Sequence, residues 1–186
     1  MKSTVIAFFV AASLTCAASA QTETTTEGDA AADAPAAAEA PKEKVVAVHG
    51  DWQVRCRDEG EDQNCFMYQL ALDSHTKPVA EVSIVPLAQK DGALAGFTIV
   101  TPLKSMLPNG LVVQIDANKP IKYPYLWCDQ FGCFARFGAS PELLNQYKRG
   151  AKARVTVFSV DRPDAPIILD VSLKGFTAAF ADLSKN

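Results

Sequence analysis

The chain has 186 residues, with 18 Lys and Arg, 21 Asp and Glu, and a formal net charge of −3. That balance lacks the basic excess of a nucleic-acid binder, and two histidines, His49 and His75, are too few to assemble a histidine-rich metal centre. The sequence contains no glycine-rich phosphate loop, no His-Glu-x-x-His and no Gly-x-Ser-x-Gly, so no familiar catalytic class is announced.

The first twenty residues read as an export leader. Lys2 supplies a positive start, Val5 to Leu14 a short apolar stretch, and Ala18-Ser19-Ala20 the small-residue pattern that signal peptidase cuts, with cleavage before Gln21. The apolar stretch falls short of the roughly 20 residues that span a bilayer, and no later segment reaches that length without a charge or a proline, so no transmembrane segment is expected in the mature chain. Cys16 raises the alternative of a lipidated leader, but Ser13 and Thr15 stand where a lipobox has an aliphatic and a small residue.

Residues 21 to 44 form an acidic Ala/Thr/Pro-rich tether, with six acids against Lys42 and Lys44 and no large apolar side chain before Val45. Such a segment buries too little surface to offset its ordering entropy. Residues 45 to 186 then carry fifteen bases and fifteen acids, a formally neutral stretch long enough for one domain with a real core.

Loss of the leader removes Cys16 and leaves four cysteines. In an oxidising compartment an even count reads as a disulfide framework. Cys56 with Cys65 and Cys128 with Cys133 are the expected pairs, because each brackets a turn: Asp58 to Asp62 in the first, Asp129 to Gly132 in the second. Rings of about ten and six residues stabilise by about 2–3 kcal/mol each on loop entropy. Structural zinc favours ligands two to four residues apart, and redox dithiols favour Cys-x-x-Cys, so neither is expected.

Period two dominates the folded part. Trp52, Val54 and Cys56 alternate with Gln53 and Arg55. Phe66, Tyr68, Leu70 and Leu72 form one face of the next strand. Ala80, Val82 and Ile84 follow, then Phe97, Ile99 and Thr101, with Asp91-Gly92 as a hairpin signal between them. Leu111, Val113 and Ile115 make another strand, Val155 to Val160 a central one, and Ile167, Leu169, Val171 and Leu173 the cleanest alternation. One helix is expected over Ser140 to Gly150, with Ser140 as cap, Pro141 at the first position, Glu142 at the positive end and Lys148 and Arg149 at the negative end. Thr177 to Leu183 adds a last short turn. The expected class is all-β, an antiparallel sandwich or small barrel with one or two short helices.

Four segments of the chain resemble the invasion-associated locus B family. His49-Gly50-Asp51-Trp52-Gln53-Val54-Arg55-Cys56 is similar to its opening motif. Leu107-Pro108-Asn109-Gly110-Leu111 with Gln114-Ile115-Asp116, Trp127 to Ala135, and Ser172 to Phe180 are similar to its middle motif, second cysteine loop and closing motif. The resemblance spans residues 49 to 180 and implies an all-β fold, export in an alphaproteobacterium, a periplasmic, secreted or outer-surface location and, for some members, a part in host-cell invasion and virulence. It implies no reaction.

No catalytic, cofactor-binding or metal-binding residue is therefore assigned, and no cofactor is expected. The surface candidates for partner binding are Tyr123, Tyr125 and Trp127, and the basic Lys148 and Arg149 with Lys152 and Arg154 nearby. The bland alternatives are that the aromatic residues pack inward beside the second disulfide, and that the basic ones finish a helix and face water on a strand. His49 beside Asp51 is the one acid–base pair, with a polar turn as its bland reading. The leading function is a non-catalytic binding module for an unidentified envelope or host protein. The alternatives are a small-molecule or carbohydrate-handling periplasmic protein or enzyme using acids such as Asp51, Asp116 and Asp170, and a passive envelope stability or assembly factor.

Overall fold

The computed structural model describes residues 43–59, 62–90 and 92–184; the leader, Cys16 and the tether up to residue 42 lie outside them. The described residues form β1 (Glu43–His49), β2 (Trp52–Glu59), β3 (Asp62–Leu72), β4 (Pro78–Lys90) and β5 (Ala93–Thr101). A single 3-10 turn (Leu107–Asn109) leads into β6 (Leu111–Ile115), β7 (Ile121–Tyr123), β8 (Trp127–Asp129) and β9 (Gly132–Ala139). Then come α1 (Pro141–Arg149), β10 (Lys152–Ser159), β11 (Arg162–Ser172) and α2 (Phe176–Leu183).

All the strand pairs are antiparallel, and one sheet runs β7-β6-β10-β11-β3-β4-β5-β9-β8. It branches at β3. The first part of β3 pairs with β2, and β1 pairs beyond β2, whereas the far end of β3 meets β11 through Leu72 and Asp170. The sheet curls strongly: Tyr123 of β7 stacks on Phe137 of β9, with ring centroids 3.6 Å apart. Rings rather than a ladder therefore close this seam of a half-barrel.

The two helices fill the concave side. Trp52 and Phe97, both fully buried, meet Phe176 and Tyr147 there. Trp52 and Phe176 are edge-to-face at 5.4 Å, and Tyr147 lies between Phe97 at 4.6 Å and Phe176 at 5.5 Å. Such pairs contribute beyond their buried area. Burial pushes the Tyr147 hydroxyl far above its ordinary range. Met67, Ile84, Ile99, Leu111, Leu144 and Leu169 complete this core.

The antiparallel all-β class with two short helices is what the structure shows. Ser140 caps α1 by accepting from the Leu143 N–H at 3.3 Å, followed by Pro141 and Glu142, with Lys148 and Arg149 in the last turn. Gly150 ends the helix with φ −74°, so its value is space: a Cβ would come within 2.8 Å of the Ile115 and Leu173 side chains. The hairpin between β4 and β5 is closed by the Lys90–Ala93 pair, with Gly92 at φ +76°, while Asp91 of the hairpin signal lies outside the described residues.

Two elements differ from the sequence reading. Phe66, Tyr68, Leu70 and Leu72 do share a face, but it is the outer one, and the core of β3 is Met67, Gln69 and Ala71. The disulfide explains the phase: Cys65 lies opposite Cys56, whose face also carries Trp52 and Val54. Strand β1 also begins before Val45, since Glu43 and Lys44 belong to it. Glu43 lies opposite Arg57, and its carboxylate accepts from both Arg55 and Arg57. Charge pairing recruits a residue that composition had placed in the tether.

Candidate ligand-binding face

Inward side chains of the strands build the core, so their neighbours form a convex outer face. In register across it run Gln53, Tyr68, Ser83, Thr98 and Arg136. Beside them run Arg55, Phe66, Val85 and Gly96 on one flank, and Glu81, Val100, Phe134 and Trp127 on the other.

Two adjoining hollows of about 520 and 530 Å³ follow this face and share Arg57, Phe66, Ser83, Thr98 and Arg136. Together they make one trough. Its floor is the small side chains of Ser83 and Thr98, and Gly96 leaves the first hollow open. One wall is cation on ring: the Arg55 guanidinium lies 3.5 Å over Tyr68, and that of Arg57 4.8 Å from Phe66. Glu43 holds both arginines, at 3.2 Å for Arg55 and 2.9 Å for the Arg57 Nε. Burial alone raises the Glu43 carboxyl, but its bonds to Arg57 and Arg55 and their charges outweigh that and lower it. Tyr68 is raised, first by burial and then by the charge of Glu81.

The opposite wall is Trp127, stacked on Phe134 at 4.9 Å, with Arg136 5.7 Å from the indole. Arg136 donates its Nε–H to the Thr98 hydroxyl at 3.1 Å. Its charge faces no carboxylate within ion-pair distance among the described residues. Trp127 is 41 % and Phe131 77 % exposed. Phe131 protrudes from the loop closed by the Cys128–Cys133 disulfide, where the Asp129 carboxylate accepts its backbone N–H.

A separate cleft of about 730 Å³ opens where β2 and β11 part from β3. Asp51, Asp73, Lys152 and Asp170 line it, and Lys152 and Asp170 are joined at 2.8 Å. The Asp73 carboxylate accepts the backbone N–H groups of His75 and Lys77, which holds it below its ordinary value. Asp116 lies elsewhere: it accepts from the Ala151 and Lys152 backbone and ties β6 to the start of β10. So two of the three acids singled out in the sequence share a cleft and the third is structural. Among the described residues no group of three or more His, Cys, Asp or Glu is placed to hold a metal ion.

The other candidates are dispersed. The His49 ring bonds Asp182 of α2 at 2.9 Å, which pins β1 to the last helix. Tyr123 is half-buried against Phe137, and burial raises its hydroxyl. Tyr125 is half-buried with its hydroxyl bonded to Thr101. Only Trp127 of the three aromatic candidates presents itself on the outer face. Lys148 turns back over the Phe180 ring at 5.0 Å, while Arg149 and Arg154 are exposed. The trough residues Arg57, Phe66, Glu81 and Arg136 were not singled out by sequence reasoning. The signal was the phase of Cys65, which turns Phe66 and Tyr68 outward beneath the arginines of β2.

Among the described residues no helix is long and apolar enough to cross a membrane. The chain is similar to the invasion protein B homologues of two strains of Brucella abortus, 2308 and biovar 1 strain 9-941. Each is 27% identical over 135 residues, covering 71% of this chain and 75% of the relative. The crystal structure of invasion associated protein B from Bartonella henselae has the same fold, with TM-score 0.63 and 21% identity over 75% of this chain and 95% of that one. The invasion associated locus B family model matches residues 52–184, from the buried Trp52 of β2 to the end of α2, and the chain belongs to that family.

Proposed function

We propose that this protein is an exported, non-catalytic envelope protein that binds a partner through the outer face of its sheet. The observation that carries the reading is the trough: arginines and rings assembled on a face whose opposite side already holds the whole core. Two disulfides favour an oxidising compartment, and the leader-like first twenty residues supply the route to it. The relatives are named for invasion, so a host-cell partner stands beside an envelope one within this reading. The branch cleft supports a second reading, a small polar ligand held by Asp51 and the Lys152–Asp170 pair.

Site-specific photocrosslinking in the living cell tests the first reading. A crosslinker at Ser83 or Thr98 is expected to yield a reproducible adduct, whereas one at exposed Asp164 on β11 yields none. Absence of any adduct from the trough positions removes this function.

A further inference from the structure

The trough is more selective than a generic sheet face. Among the described residues no carboxylate lines its first hollow, which lies between Arg57 and Arg136. Among the described residues that line the trough, Glu43 holds Arg57, Glu81 lines the second hollow, and Arg136 is the cation with no carboxylate within ion-pair distance. Thr98 occupies only its Nε–H, which leaves the two terminal nitrogens of the guanidinium fork for a ligand. A planar fork of this kind matches carboxylates and similar oxyanions in bidentate fashion.

The position of the trough separates two classes of anionic chain. It crosses the middle of the sheet, and β3, β4 and β5 beneath it are paired on both sides. A peptide lying there would find only side chains, and its N–H and C=O groups would lose water without gaining a ladder. A sugar chain carries its polar groups as hydroxyls around rings with apolar faces. Ser83 and Thr98 offer hydroxyls on the floor, and Trp127 and Phe131 offer ring surface at one end. Arg57 on β2 and Arg136 on β9 stand four strand spacings apart, about 19 Å between backbones at about 4.8 Å per step. Both side chains line both hollows, and the trough runs on to Trp127 and Phe131, which gives room for several sugar units.

We propose that this trough is a binding site for an acidic oligosaccharide, with anionic groups on Arg136 and Arg57 and sugar rings between them and against Trp127. The inference rests on the outer-face reading and names its ligand class.

The test uses the mature, oxidised protein with four probes: tetragalacturonate, monomeric galacturonate, neutral maltotetraose and a hexaglutamate peptide. Binding is followed by calorimetry and by tryptophan emission, in which Trp127 is the exposed reporter and Trp52 is buried. Tetragalacturonate is expected to bind most tightly, to quench Trp127 and to weaken as salt rises. Arg136→Gln is expected to cost about tenfold or more in affinity, since a charge-assisted bond is lost, and Arg136→Lys to restore only part. Ser83→Phe, which fills the trough while leaving both arginines, is expected to abolish binding and serves if Arg136→Gln fails to fold. Equal affinity for maltotetraose, tighter binding of hexaglutamate, or full binding by folded Arg136→Gln overturns the proposal. Persistence of Ser83 crosslinks without any acidic-sugar binding removes this inference alone; loss of both removes the outer-face reading too.

Discussion

Gln69 offers the sharpest test of how the sheet is held where it branches. It is 8 % exposed, and its Nε2 donates to the Asp51 carbonyl at 3.0 Å and the Ser172 carbonyl at 3.1 Å, while its Oε1 accepts the Ser172 N–H at 2.7 Å. One amide thus joins β3, the turn before β2 and the end of β11, where the β3–β11 ladder has a single residue pair. Gln69→Leu keeps the volume and removes every bond. The Ser172 carbonyl retains the Trp52 indole N–H at 2.9 Å, and the carbonyl of exposed Asp51 regains water. The part-buried Ser172 N–H, at the edge of the branch cleft, is left without its protein partner. One such orphan costs about 1–3 kcal/mol, and the partly compensated carbonyls bring the expected loss to about 2–3 kcal/mol. At about 2–4 °C per kcal/mol for a chain of this size, Tm should fall by about 4–12 °C. Urea unfolding with both disulfides intact measures the loss, and hydrogen exchange should show the Ser172 amide opening before the core of β4. Trp52→Phe should couple to Gln69→Leu by more than about 0.5 kcal/mol, because both serve the Ser172 carbonyl. A Gln69→Leu protein within about 0.5 kcal/mol of the parent would refute the claim that this amide joins the branches.

Gly175 caps α2 at φ +88°, and a Cβ there would run into the His49 carbonyl; Gly175→Ala should lose more than about 3 kcal/mol or fail to accumulate, and a parental urea midpoint would contradict this close approach. Replacing Cys128 and Cys133 together by Ser should cost about 2 kcal/mol, read from the urea midpoint, with a parental midpoint counting against a stabilising role for the staple. Pairing lowers Glu43, so its contribution is present above the ordinary glutamate value of 4.5 and is lost as pH falls through its lower folded value. Glu43→Gln should therefore shrink the stability difference between neutral and acid pH, by less than about 1 kcal/mol because the pair is partly exposed, and unchanged acid unfolding would show that the pairing adds nothing.

The strands with clean alternation were legible because one face of each meets the helices. Ala80, Val82 and Ile84, and Leu169, Val171 and Leu173, all lie inside. β3 was legible in period but not in orientation, since its outer residues are as apolar as its inner ones. Phe66 is hydrophobic, yet it lies beneath a guanidinium, and polar Gln69 is inside because three backbone groups need it. Residue type predicts the burial of Phe66 but not the face that buries it, and it misplaces Gln69. β1 gave no signal for a related reason: Val45, Val46 and Val48 are all half-exposed, and the strand is held by its pairing to β2 and by Glu43 and His49. The trough was the least legible feature. Its arginines and rings come from strands far apart in sequence, and only the sheet order brings Arg57 and Arg136 to one hollow.

Curvature and binding face are linked through the same strands. The inner rings of Trp52, Phe97, Tyr147 and Phe176 set how tightly β2 to β5 bend around the helices. The outer side chains of those strands then diverge, and a hollow survives on a convex face only where they are short. Ser83, Gly96 and Thr98 are short, while Arg57, Phe66, Phe134 and Trp127 on either side are long. Ser83, Thr98 and Arg136 lie outside the buried core, so substitution there separates recognition from folding. An Arg136→Gln or Ser83→Phe protein that keeps the parental unfolding midpoint, beside a Gln69→Leu protein that loses it, would place the two roles on opposite faces of one sheet.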